Sequence, residues 1–162
     1  MTTEILDETT EESQDTMENL YIIFFIDGRE YGIEIRYLIE IIAFQPITFI
    51  PNLPPYVKGV INLRGKIIPI IDVRLRFGLP AIEYTDFTCI LLMNINNLSA
   101  GLVVDGVKEV LKIPKEFIEP SPGFEESDME RFVEAIGKSE ETLKIIINME
   151  KFIHEKDLKN IT

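Results

Sequence analysis

The sequence predicts an all-β fold of about nine short strands with little helix, arranged as barrels or a sandwich rather than as βαβ units. Three observations carry that expectation. Apolar runs of strand length recur along the chain, rich in Ile, Val and Phe. Turn signals such as Asp27-Gly28 and Arg64-Gly65 punctuate them. Helical apolar periodicity is confined to short stretches, chiefly near the C-terminus.

Taken in order, residues 1–18 carry Glu4, Asp7, Glu8, Glu11, Glu12, Asp15 and Glu18 with no Lys or Arg, and few apolar residues. They read as a disordered acidic tail, and residues 19–162 as one domain. The run 20–26 (LYIIFFI) is a strand, Asp27-Gly28 its hairpin turn, and 30–35 the returning strand, with Tyr31, Ile33 and Ile35 on one face. Residues 36–43 fit a helical turn or a strand equally well, and Pro46 stops either. The segment 51–55 is a semi-rigid extended connector. A second hairpin joins 60–63 to 66–71 through Arg64-Gly65, and Pro69, lacking an N–H, marks an edge or a bulge.

Residues 72–77 predict a short helix N-capped by Asp72 and ended by Gly78 and Pro80. Strands at 87–93 and 98–104 are joined by the Asn-rich turn 94–97, and 107–113 alternates after Asp105-Gly106. The stretch 114–141 is broken by Pro120, Pro122 and Gly123, carries Glu125, Glu126, Asp128 and Glu130, and predicts one short helix at 129–136. A strand at 143–149 leads into an amphipathic helix at 150–158, with Phe152 and Ile153 inward and Glu155, Lys156 and Asp157 outward.

The composition excludes several functions. With 16 Lys and Arg against 28 Asp and Glu the net charge is −12, which repels nucleic acid and anionic membranes. The N-terminus is too acidic for a signal peptide. The uncharged stretches 41–57 and 87–104 are broken by prolines and by asparagines respectively, so no membrane span is expected and the chain reads as cytoplasmic. The glycosylation triplets at Asn97 and Asn160 then read as chance matches. Cys89 alone allows neither a disulfide nor a zinc cluster, and reads as a small core residue. His154 reads as a surface side chain on the last helix rather than a general base. No phosphate-cradling loop, dinucleotide fingerprint or calcium loop is present, and the Glu125/Glu126 pair reads as solvated charge. Neither catalysis, a cofactor nor a metal is expected.

What remains is surface. Lys58, Arg64, Lys66, Arg74 and Arg76 share a stretch with a single acid, Asp72. That stretch is either a solvated face balancing the acidic tail or a docking patch for carboxylates, with Arg64 as its bidentate anchor. Gly65 suits a left-handed turn position, and Gly59 would allow close approach of another backbone. Leu38 and Val110 are apolar on the nominally exposed phase. Together these residues suit a mixed apolar and charged groove for an amphipathic helix.

The segments YGIEI (31–35), IEII (39–42), VKGVINLRGKIIPIIDVRLRFG (57–78), GLVVDGVKEVL (101–111) and IINME (146–150) resemble the CheW family of bacterial chemotaxis coupling proteins. The resemblance covers the chain from residue 21 to about 153, is weak over 114–141 and excludes the acidic tail. It implies two five-stranded SH3-like β-barrel subdomains over a shared hydrophobic core. It further implies a non-enzymatic adaptor between the signalling tip of a chemoreceptor, a helical hairpin, and the regulatory domain of a chemotaxis histidine kinase, recruited to receptor arrays. Carried over by motif, the receptor-binding residues are Leu38, Glu40, Gly59, Arg64 and Gly65, with Gly101 and Val110 across the groove; kinase-binding residues are left unassigned. The same module in a related motility system is one alternative. An OB-like nucleic-acid binder using 58–76 is another, but only Tyr56 and Phe77 flank those cations and no aromatic lies among them.

Overall fold

The computed structural model describes residues 17–121, 131–153 and 158. Among these, eleven strands and two four-residue helices appear. The strands are β1 (Leu20–Ile26), β2 (Arg29–Glu34), β3 (Leu38–Ala43), β4 (Val57–Leu63), β5 (Lys66–Asp72), β6 (Cys89–Ile95), β7 (Leu98–Val104), β8 (Gly106–Lys112), β9 (Ile118–Pro120), β10 (Val133–Ser139) and β11 (Thr142–Ile147). The helices are α1 (Val73–Arg76) and α2 (Met149–Phe152).

The strands form two sheets, ordered β8-β1-β2-β11-β10-β9 and β3-β6-β7-β5-β4. The second sheet is therefore one continuous insertion, and the first is assembled from both ends of the chain. Each sheet joins two hairpins through one parallel pairing, β2 with β11 and β5 with β7. The all-β class and the two-part organisation match the expectation; one part gains a sixth strand, the three-residue β9.

Four of the hairpins turn in two residues, both with positive φ: Asp27 and Gly28 (54° and 76°), Arg64 and Gly65 (51° and 83°), Asn96 and Asn97 (50° and 68°), and Glu140 and Glu141 (53° and 65°). This is the type I′ geometry whose twist matches the flanking strands. Asp, Asn and Gly tolerate it well; the paired glutamates do so at a conformational cost.

The continuous apolar runs arise because the inner strands bury both faces. Along β1, Ile22, Phe24 and Ile26 enter a core shared by the two sheets, while Tyr21 and Ile23 enter a smaller core belonging to the first sheet. Along β6, Leu91, Met93 and Ile95 enter the shared core, whereas Ile90 and Leu92 enter a core within the second sheet. Both helices add to the shared core: Phe77 follows α1, Phe152 ends α2, and their rings meet edge to face at 5.7 Å.

Helix α1 begins where expected, the Asp72 carboxylate accepting from the Leu75 N–H. It ends with Gly78 at φ 79°, its N–H donating to the Leu75 carbonyl and that of Leu79 to the Arg74 carbonyl, a Schellman closure.

One expectation fails, and one of two alternatives for Pro69 is excluded. The helix at 129–136 is replaced by β10 from Val133 onward, because Ala135 and Ile146 fill the first sheet's small core and β11 supplies a partner strand; residues 129 and 130 lie outside the described residues. Pro69 lies on an interior strand rather than an edge, and a register irregularity, the other alternative, falls next to it, between Val57 and Gly59 on β4. The proline is tolerated because its partner Val60 exchanges both backbone hydrogen bonds with Thr48 instead, and the pairing of β5 with β7 starts only at Ile70. The ambiguous stretch 36–43 resolves into a 3-10 turn at Ile35–Tyr37 followed by β3. At the C-terminus Phe152 and Ile153 are buried, as expected for the inward face, and so is Leu158. His154, Glu155, Lys156 and Asp157, and the acidic residues 125–130 and 1–16, lie outside the described residues.

Candidate functional site

The site is built at the tip of the β4–β5 hairpin. Arg64 and Gly65 form its turn, which the Asn62 side chain closes by accepting from the Gly65 N–H at 3.0 Å. The Arg64 guanidinium reaches Glu40 on β3, at 2.9 Å from Nη1 to Oε1 and 3.2 Å from Nη2 to Oε2. Strands β3 and β4 are opposite edges of their sheet. The pair therefore spans the two edges, and the sheet curls around the small core that holds Ile61, Leu63 and Ile42. A bulge at Ile39 shifts the β3 register and aims Glu40 at this contact.

The Arg64 side chain remains 73% exposed despite its partner. Ile39 and Ile41 flank Glu40 and are also exposed; the sequence hid them because β3 could not be distinguished from a helical turn. The result is an open cation with an attached carboxylate, on a strand whose Ile39 and Ile41 are also exposed.

The remaining expected residues fall in different settings. Leu38, two residues before Glu40, is half buried against the shared core. Gly59 is buried with φ 143°, and the Thr48 carbonyl oxygen lies 2.0 Å from where a β-carbon would sit. The backbone that approaches Gly59 is thus the chain's own. Gly101 is buried on β7, where a β-carbon would meet Ile70 Cδ1 at 2.6 Å and Ile90 Cγ2 at 2.8 Å. Val110 is 49% exposed on β8, the edge of the other sheet.

The five cations of 58–76 do not make one patch, which corrects the sequence reading. Arg74 is buried, with Nη1 2.7 Å from Asp105 Oδ2 and Nη2 3.4 Å from Asp27 Oδ1. Arg76 is half buried, stacked 4.0 Å from the Tyr56 ring centroid and 4.7 Å from that of Phe132, and donates to the Phe152 carbonyl at 2.9 Å. Burial, aided by the charge of Arg131, lowers its pKa to about 10. Both arginines hold the fold together, and only Lys58, Arg64 and Lys66 are left for a surface role. Their loss also removes two of the cations on which a nucleic-acid reading depends.

A second charged cluster is structural. The buried Lys144 ammonium donates to the Ser139 carbonyl at 2.8 Å and to the Thr142 hydroxyl, and lies 3.4 Å from Glu30. Glu30 also accepts from Lys108 and, at 2.6 Å, from the Thr142 hydroxyl. Burial alone would raise the Glu30 pKa; those hydrogen bonds and the charges of Lys144 and Lys108 outweigh it and hold the carboxyl at about 2.

Little here suits catalysis. Burial pushes the Cys89 thiol upward, away from a nucleophilic thiolate. Among the described residues no group of His, Cys, Asp and Glu is placed to hold a metal. Nor, among them, is any helix long and apolar enough to cross a membrane. Fold and site together define a β-rich protein of two sheets over a shared core, with an open cationic hairpin tip.

Comparison with known proteins sharpens that class. The family model for the CheW-like domain matches residues 20–157. The chain is 34% identical over 144 residues to the chemotaxis protein CheW of Klebsiella aerogenes, covering 89% of this chain and 87% of that one. It is 36% identical over 127 residues to the chemotaxis protein CheW of Bacillus subtilis, covering 78% and 81%. The crystal structure of the scaffolding protein TtCheW from Thermoanaerobacter tengcongensis superposes with a TM-score of 0.78 at 35% identity, covering 86% of this chain and 96% of that one. The chain belongs to the CheW-like family, the non-enzymatic scaffold proteins of chemotaxis.

Proposed function

We propose that this scaffold couples the signalling tips of chemoreceptors to the regulatory domain of a chemotaxis histidine kinase, working in the cytoplasm and recruited to membrane receptor arrays. The observation that carries this reading is the open Arg64–Glu40 pair at the hairpin tip, with Ile39 and Ile41 exposed on the same strand as Glu40. A receptor tip is a helical hairpin, and its exposed face offers carboxylates to Arg64 and apolar side chains to the isoleucines. Arg64 is the anchor, with Glu40 holding its fork in place. Gly65 permits the turn that presents the anchor, and Leu38 supports β3 beneath it. Gly59 and Gly101 contribute by setting the strands under the groove, and Val110 contributes an apolar contact from the other sheet. The kinase surface is left unassigned.

The mechanism is simultaneous binding. Holding both partners raises the effective concentration of kinase at receptor. Any change in receptor state that alters its affinity for the scaffold must alter the kinase side reciprocally. Substitution Arg64→Glu places two carboxylates together at the tip and reverses the anchor. Co-sedimentation with a receptor-tip fragment is expected to be lost while the melting temperature stays near that of the wild type, because Arg64 is open to solvent. Retained binding would remove Arg64 from the receptor site.

A further inference from the structure

The fold buries a phenol hydroxyl and gives it no partner. Tyr21 is 7% exposed on β1, on the face that enters the first sheet's small core, and its hydroxyl makes no hydrogen bond among the described residues. A polar group withdrawn from water and left unpaired costs stability, so it calls for a partner that the fold itself does not supply. Tyr21 lines a cavity of about 590 Å³ where β1, β9 and β10 begin and β2 and β11 end. That volume falls within the roughly 300–1,000 Å³ of small-ligand sites. Ala135 and Ile146, buried in the same small core, and the half-buried Ile118 give the cavity an apolar floor.

Two carboxylates meet at the hydroxyl. Glu34 stands directly across the β1–β2 ladder from Tyr21. Glu134 is the extra residue of a bulge in β10, whose register shifts between Val133 and Ala135, and a bulge re-aims the side chain it carries. Here it brings Glu134 to the cavity. Burial, then the charges of Glu34 and Glu134, raise the pKa of the Tyr21 hydroxyl, and no cation acts against them. Arg36 lines the cavity but is committed elsewhere. Its Nε binds Glu34 Oε2, its Nη2 donates to the Tyr37 hydroxyl at 2.8 Å, and its guanidinium lies 4.5 Å from the Tyr37 ring centroid. Glu134 makes no ion pair among the described residues. Burial, with the charges of Glu34 and Glu150, raises its carboxyl pKa against the lowering effect of Arg36 and Lys151. The remaining charges of the lining, Glu18 and Lys115, are of opposite sign. With Glu34 answered by Arg36, the cavity holds one uncompensated carboxylate beside one unpartnered phenol.

We infer that this cavity binds an alkylammonium group, its charge held by the Glu134 carboxylate and the Tyr21 oxygen and its stem by Ile118, Ala135 and Ile146. An ammonium brings three donors and no acceptor, which suits two acceptors at the end of an apolar slot. The Tyr21 oxygen accepts from the ammonium while its own hydrogen donates to a neighbouring carboxylate. An anionic ligand would meet like charge at Glu134. The cavity belongs to the first sheet and the Arg64 tip to the second, so the two sites are separate.

The test uses the full isotope-labelled chain at fixed ionic strength, with n-pentylamine, n-pentanol and pentanoate as probes and amide chemical shifts as the readout. Saturable shifts centred on residues 21, 134, 135 and 146 are expected with pentylamine. Pentanol should bind about tenfold more weakly, and pentanoate not at all. Affinity for pentylamine should fall about tenfold in Glu134→Gln and severalfold in Tyr21→Phe. The melting temperature of Tyr21→Phe should stay at or above that of the wild type, since the lost hydroxyl bonds nothing in the fold. Equal binding of pentylamine and pentanol, shifts centred elsewhere, no saturable binding, an unchanged affinity in Glu134→Gln, or a lowered melting temperature in Tyr21→Phe would each overturn the proposal. So would binding seen only in Lys115→Gln, since the chain's own ammonium would then be the occupant. A lysine acetylated at its α-amine and amidated at its carboxyl separates two sources of the group. Binding equal to that of pentylamine supports a lysine side chain of a partner, and binding of pentylamine alone supports a small free amine.

Discussion

At Gly59 the chain leaves no room for a β-carbon, since the Thr48 carbonyl occupies that space and φ is 143°. Gly59→Ala is expected to cost ~2–4 kcal/mol, read as a lowered urea midpoint with an unchanged slope. Glu30 gives a residue-scale prediction with a pH window. Its folded pKa of about 2 lies below the ordinary 4.5, so the stability it adds is complete above pH 4.5 and is lost as pH falls through 2. In Glu30→Gln the stability deficit against the wild type is expected to shrink across that window in acid titrations followed by circular dichroism. A constant deficit would mean that the Lys144–Glu30–Lys108 cluster does not act through charge. Arg64 and Gly65 were legible as a cationic hairpin tip because a turn dipeptide identifies itself locally. Arg74 and Arg76 were not. Composition places them in a basic stretch, but only long-range packing puts Asp27 and Asp105 around one and Tyr56 and Phe132 around the other.

Among the elements, hairpins with Asp, Asn or Gly in the turn were readable, and the one turning at Glu140 and Glu141 was missed. That pair carries no left-handed preference, and with the turn unrecognised β10 was read as helix. The same mismatch offers a gain in stability. The double substitution Glu140→Asn and Glu141→Gly is expected to raise stability by ~1 kcal/mol, an increase of several degrees in the melting temperature. A decrease would show that the Glu140 carboxylate, 3.8 Å from Lys108, matters more than the backbone. Pro69 carries the complementary lesson. A proline marks a missing hydrogen bond, but whether that bond lies at a sheet edge depends on a neighbour, here Thr48, that no local pattern reveals.

For the whole molecule, burial of both faces of β1, β6 and β7 explains why their sequences run apolar without alternation. The all-β class follows from that pattern, but the two parallel pairings that join hairpins from distant parts of the chain do not. Those pairings make the first sheet from both termini and the second from the middle, so displacement of one sheet would strain the other through the shared core. This coupling suits the proposed relay of a change at one surface to another. The most direct measurement is a capture experiment with a purified receptor-tip fragment on beads and a purified kinase regulatory domain in solution. The kinase domain should be retained when this chain is added and released when it is omitted or replaced by the Arg64→Glu variant. Equal retention in all three conditions, or none with the wild-type chain, would contradict the adaptor role.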